Sequence, residues 1–181
     1  MAAMIVVHVT ATNAADYFTR REPHRAAHIE RLVGLRDQGR VIGGGPAPDG
    51  RTAELFYRLR QPGDLKLLVE EDPYFTGGAW TAYTSRSFAQ FVEPWGAVPV
   101  VLDGSRRATI VEGPAIDSDL AQLALVELRG AGRLRFGGSF DGQATLAVLG
   151  SADAAEATGW LAATGLWALA ALTARPWLHV L

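Results

Sequence analysis

The chain has 181 residues, of which 49% are hydrophobic and 20% charged, with a formal net charge of −2 and no cysteine. This composition describes a packed globular chain rather than a disordered one, and it offers no basic surplus to neutralise a phosphate backbone, which argues against a nucleic-acid partner. The missing thiols exclude disulfides and thiolate zinc sites, and a cytoplasmic location is the expectation.

The N-terminal residues have no basic segment ahead of a long apolar run, so no signal peptide is expected. Met4 to Val7 open with a β-branched run that predicts a strand. A helix follows, with Pro23 suited to its N1 position and Gly39 to its C′ position. A hairpin comes next, with Asp49-Gly50 as a type I′ turn signal. The spacing then predicts a second helix over about 62–72, ended by Asp72-Pro73, and one long closing strand through SRSFAQFV at 85–92. Residues 93–105 hold two prolines and two glycines and read as a linker.

The pattern then repeats. Residues 38–51 (QGRVIGGGPAPDGR) resemble 131–143 (AGRLRFGGSFDGQ) in Gly-Arg, in Gly-Gly and in Asp-Gly. In the same order AELFYRL (53–59) falls on TLAVLGS (145–151), and VEEDPYF (69–75) on LAATGLW (161–167). A strand at 108–111, a helix capped by Asp117 or Ser118 and ended by Gly130 or Gly132, a hairpin at Asp141-Gly142, a helix over 151–164 and a last strand complete the second copy. A strand-helix-hairpin-helix-strand order is the split βαβ, ferredoxin-like pattern. The expected class is therefore α+β: two ferredoxin-like βαββαβ repeats, 1–92 and 106–181, joined by the linker 93–105. A sheet that bares one apolar face must cover it, so an intrachain dimeric α+β barrel is predicted, with the chain a monomeric pseudo-dimer or a homodimer. The uncharged stretch 157–174 approaches bilayer length, yet its glycines, its threonines and the repeat itself favour a soluble helix and turn, and no membrane partner is expected.

Chemistry concentrates in the first copy. His28 lies at the edge of an apolar stripe with Leu32 and Leu35, aimed toward the sheet; the alternative is a half-buried histidine satisfied by a carbonyl. Asp72 ends a run Glu70-Glu71-Asp72 at a predicted helix C-terminus, where the macrodipole opposes three carboxylates; a plain Asp-Pro stop is the alternative. His24 and His28 have an i,i+4 spacing, but no third ligand accompanies them, so no metal is expected. Gly43-Gly44-Gly45-Pro46 lacks the ending of a phosphate loop and reads as a glycine-bearing strand end.

With Arg25-Ala26-Ala27-His28-Ile29 and Leu32, then Gly39-Arg40-Val41, Gly45-Pro46 and Asp72-Pro73-Tyr74, residues 4–92 resemble the YCII-related family of small bacterial proteins. The resemblance implies a dimeric α+β barrel with His28 and Asp72 as catalytic residues. Arg25, Tyr74, His8 and His24 are candidate substrate-binding residues. The second copy departs from the pattern: Ala121, or Gln122 after a one-residue slip, stands at the position of His28, and Thr164 at that of Asp72. One site per chain is therefore expected. It would be the site of a cofactor-free enzyme using a His/Asp acid-base pair on a small organic, hydroxyaromatic molecule, by a lyase-type or hydrolytic reaction. The alternative is a non-catalytic module that binds a small-molecule ligand.

Overall fold

A computed structural model describes residues 4–141 and 144–181. The chain divides into two compact units. One takes residues up to Ser87 with Pro99–Leu102 and His179–Leu181; the other takes Phe88–Val98 and Asp103–Leu178.

The first unit is built on a four-stranded antiparallel sheet in the order β2-β3-β1-β4, from β1 (Ile5–Asn13), β2 (Val41–Pro46), β3 (Thr52–Leu59) and β4 (Trp80–Ser87). Alternate residues of a strand point to opposite faces. Val7, Val9 and Ala11 of β1, with Leu55, Tyr57 and Leu59 of β3, form one core with Tyr17 of the short α1 (Tyr17–Arg20), Leu32 and Leu35 of α2 (Arg25–Asp37) and Leu68 and Val69 of α3 (Asp64–Glu70). The intervening His8, Glu54 and Phe56 are also buried, on the other face. Gly39 has φ +72°; its amide bonds the Arg36 carbonyl and that of Arg40 bonds Leu35. These two bonds make a Schellman stop that needs a left-handed residue, the role expected of Gly39.

The second unit repeats this plan in a five-stranded sheet, order β5-β7-β8-β6-β9, from β5 (Gln90–Val92), β6 (Arg107–Pro114), β7 (Leu134–Ser139), β8 (Ala144–Leu149) and β9 (Thr173–Leu178). Helix α5 (Ser118–Gly130) has the length of α2, and Asp117 caps it by accepting from the Asp119 and Leu120 amides. It ends in the same Schellman geometry, at Gly132. Its buried residues Ala121, Leu125 and Leu128 occupy the places of His28, Leu32 and Leu35. No helix among the described residues is long and apolar enough to cross a membrane; within 157–174 the only α-helix is the end of α6 (Ala154–Ala162).

Four local expectations are corrected. Pro23 lies in a 3-10 turn, Glu22–His24, and α2 starts only at Arg25. The Asp49-Gly50 hairpin is not a two-residue turn: the Ala47 amide bonds Thr52 across a four-residue loop with Gly50 at φ +72°. The corresponding Gly142 lies outside the described residues. The helix predicted over 62–72 stops at Glu70, and a separate short helix, α4 (Pro73–Thr76), starts after Asp72. The closing strand predicted over 85–92 is two strands, because β4 pairs with β1 whereas Gln90, Phe91 and Val92 pair with Ser139, Gly138 and Gly137 of β7.

Glycine is required where β5 meets β7: a Cβ on Gly138 would collide with the Gln90 carbonyl. Gly138→Ala should therefore destabilise the chain by about 1–3 kcal/mol, the usual cost of overpacking. Gly34→Ala, in open space within α2, should stabilise it by about 0.5–1 kcal/mol through helix propensity. Urea melts of the two variants check the contrast, and equal effects would refute it.

Candidate active site

Three elements of the first unit bring His28 and Asp72 together. Helix α2 turns His28 inward, where it retains 6% exposure. The break between α3 and α4 places Asp72, fully buried, opposite it. Asp72 has extended backbone (φ −66°, ψ 136°), and Pro73 follows as the first residue of α4. Asp72 is thus the N-cap of α4, where the helix dipole favours a carboxylate, and not the C-terminal residue of α3.

The Asp72 carboxylate orients the imidazole. Its Oδ1 accepts the Tyr74 amide at 2.8 Å and the His28 Nδ1–H at 2.7 Å. An ionised carboxylate can only accept, so Nδ1 carries a proton, and in the neutral imidazole Nε2 then presents the lone pair. No hydrogen bond engages Nε2 among the described residues. Tyr74 stacks on the imidazole at 3.7 Å between centroids and 8° between planes. Trp80, on the first residue of β4, meets it edge-on at 5.2 Å. Two rings and one carboxylate therefore fix position, tilt and tautomer, which is the preorganisation a proton-transfer group needs.

Tyr17 packs edge-on against Tyr74, and the Arg21 guanidinium lies 5.1 Å over the Tyr17 ring. Arg25 is half-buried, and its charge acts on the hydroxyls of both Tyr17 and Tyr74. Burial pushes the Tyr17, Tyr57 and Tyr74 phenols upward, Tyr57 and Tyr74 strongly, and Tyr83 is raised too. These are the four tyrosines of the chain. An unfolded tyrosine ionises near pH ~10, so above that pH the unfolded state binds fewer protons than the folded state. Folding stability should then be complete below about pH 10 and fall as pH rises beyond it. Titration of the tyrosinate absorbance should run at higher pH in the folded chain than in the urea-unfolded chain. Superposed titration curves for the folded and unfolded chains would contradict this.

The remaining candidates fall elsewhere. The His24 ring packs so closely on Gly77 that a Cβ there would collide with it. No group of three or more metal-ligating side chains gathers among the described residues. His8 is on the sheet face opposite the α2 core, where its Nε2 bonds Glu54 at 2.7 Å, its Nδ1 lies 3.3 Å from an Arg86 nitrogen, and its ring stacks on Phe56. Tyr17, Arg21 and Tyr57 were not singled out by the sequence, and Trp80 was one of five tryptophans of which one or two could wall an aromatic pocket. Only Trp80 carried a usable signal, as an aromatic six residues beyond Tyr74 at the head of a strand.

In the second unit Ala121 stands where His28 does, without a one-residue slip, and Thr164 where Asp72 does. The Thr164 Oγ1 accepts the Leu166 amide at 3.2 Å, as Asp72 accepts that of Tyr74. The bond to the amide two residues on is kept, no helix follows it, and the carboxylate is gone.

No family model matches the chain, and no curated protein matches it. Among solved structures the chain is similar to a putative monooxygenase from Lactobacillus acidophilus NCFM, at 9% identity over 99% of this chain and 95% of that one, with a TM-score of 0.58. It is also similar to a putative chlorite dismutase, at 10% identity over 98% and 95% of the two chains, with a TM-score of 0.53. A 5-chloro-2-hydroxyhydroquinone dehydrochlorinase from Burkholderia phenoliruptrix AC1100, solved with 2,5-dihydroxybenzoquinone, matches 45% of this chain and 90% of its own at 19% identity, with a TM-score of 0.40. The two full-length likenesses show the fold, that of the dimeric α+β barrel proteins, here with two ferredoxin-like units in one chain.

Proposed function

We propose that the chain is a small-molecule enzyme in which His28 is the general acid-base and Asp72 its orienting carboxylate. The observation that carries this reading is the His28 imidazole, held by Asp72 at Nδ1 and by Tyr74 on its face, with Nε2 left without a hydrogen-bond partner among the described residues. A histidine kept only for packing has no need of a carboxylate-fixed tautomer. General acid-base catalysis of this type contributes about 10²–10⁴-fold in rate.

The finer reading follows the YCII-related resemblance of residues 4–92, with repeats at 1–92 and 106–181 and a single site in the first. We propose an elimination on a hydroxylated aromatic ring. The Nε2 lone pair takes a hydroxyl proton from the substrate, and the imidazolium, stabilised by Asp72, delivers it to the ring carbon that bears the leaving group. Loss of a second hydroxyl proton to Nε2 then expels the leaving group as an anion and leaves the ring as a quinone. Arg25, beside the Tyr17 and Tyr74 hydroxyls, supplies positive charge for a phenolate. No step requires a cofactor.

The test is a panel of halogenated and hydroxylated aromatic compounds, assayed for turnover with the wild-type chain and with His28→Asn. Turnover that depends on His28 supports the reading. Tight binding without turnover, equal in both proteins, would instead make the chain a binding module.

A further inference from the structure

The His28–Asp72 pair uses only one oxygen of the carboxylate. Oδ1 takes both the imidazole and the Tyr74 amide, while Oδ2 is buried and has no protein partner. Carboxylate oxygens removed from water are costly unless hydrogen-bonded. A second orphan faces the same problem nearby. The Tyr57 hydroxyl, on a fully buried side chain of β3, also has no protein partner, and the charges of Asp72 and Arg31 both act on it. Arg31, one turn along α2 from His28, donates to the Leu67 carbonyl but leaves its buried Nε unpartnered. The requirements are complementary: Tyr57 has a proton to give and Asp72 Oδ2 has lone pairs to fill.

The second unit supplies an independent observation. Register places Leu149 at the position of Tyr57, since Val41 pairs with Tyr57 in one sheet and Leu134 with Leu149 in the other. The common frame of α2 and α5 places Ala124 at the position of Arg31 and Ala121 at that of His28. Thr164 replaces Asp72. Where the histidine and aspartate are absent, the tyrosine and arginine are absent with them, although a buried tyrosine kept for packing alone could have stayed.

We propose that Tyr57 is a positioning residue of the site, tied to Asp72 Oδ2 through one buried water that accepts from the Tyr57 hydroxyl and donates to the carboxylate. The resulting chain is Tyr57–water–Asp72–His28. It locks the carboxylate's rotation, so that Oδ1 faces Nδ1 and the imidazole keeps the tautomer with its lone pair on Nε2. Arg31, whose charge also acts on the Tyr57 hydroxyl, flanks the water. The inference deepens the acid-base reading of His28 and Asp72 and takes its functional meaning from it.

The experiment is ¹⁵N NMR of the His28 imidazole in the wild-type chain and in Tyr57→Phe, which keeps the ring and removes the hydroxyl. In the wild type the proton is expected on Nδ1. In Tyr57→Phe the ratio of the Nδ1–H to the Nε2–H form should fall about tenfold, the loss of one hydrogen-bonded anchor. An unchanged ratio in a folded variant would overturn the proposal, because a packing role predicts no change of tautomer. If the variant does not fold, a high-resolution crystal structure of the wild type decides: a water bonded to both Tyr57 Oη and Asp72 Oδ2 supports the proposal, and a direct bond or a dry gap overturns it. The tautomer needs no substrate to be read, so a chain without turnover but with a Tyr57-dependent tautomer would refute the enzyme reading alone.

Discussion

His28→Asn should lower turnover of a competent substrate by about 10²–10⁴-fold, the range removed with a general acid-base group, while the chain stays folded. Asparagine is the informative replacement because its side-chain NH₂ can take the place of Nδ1–H against Asp72 Oδ1, 2.7 Å away in the wild type. It keeps the buried acceptor satisfied and removes only the titratable Nε2. Alanine would do more: it would strand the carboxylate and open a gap between Tyr74 and Trp80, so that lost activity and lost stability would arrive together. Thermal melts should place His28→Asn within a few degrees of the wild type. Retained turnover in a folded His28→Asn chain would remove His28 from the chemistry.

The histidine was legible in the sequence because it shares a helical stripe with Leu32 and Leu35, and that stripe is buried. The aspartate was legible as a residue but not as a conformation. Read as the end of a helix, Asp72 opposed a macrodipole; in the structure it begins one. The decisive cue was local, an Asp followed by Pro at N1, which serves a start as well as it serves a stop. Tyr57 could not be distinguished from its neighbours, since Leu55, Tyr57 and Leu59 alternate on one face of β3 and a buried tyrosine has the pattern of a buried leucine. The division of 85–92 between two sheets was hidden for another reason. Pairing of Gln90–Val92 is decided by β7, whose glycines admit a close backbone, and no feature of 85–92 itself records that. The element order, by contrast, was carried by repeated local signals, above all the two Schellman glycines Gly39 and Gly132.

Asp72→Ala should destabilise the chain by about 3–5 kcal/mol, the cost of removing one partner of a buried pair. Two losses combine. The Tyr74 amide at the start of α4 forfeits its cap, worth about 1 kcal/mol. His28, buried with its Nδ1–H aimed at the vacated position, forfeits the one acceptor it has among the described residues, and that desolvated donor accounts for most of the rest. The second unit indicates which part can be restored. Thr164 accepts the Leu166 amide with its hydroxyl, and the position of His28 is taken by Ala121. Asp72→Thr should therefore recover the cap, about 1 kcal/mol, and leave the histidine stranded. Asp72→Asn keeps an oxygen for both donors and should cost least of the three. Urea denaturation, with the dependence on denaturant held constant across the series, should give the order Asn, Thr, Ala from least to most destabilised. If Asp72→Ala lies within about 1 kcal/mol of the wild type, a typical net hydrogen bond, the pair contributes little to folding, and its retention in the first unit alone would rest on its chemistry.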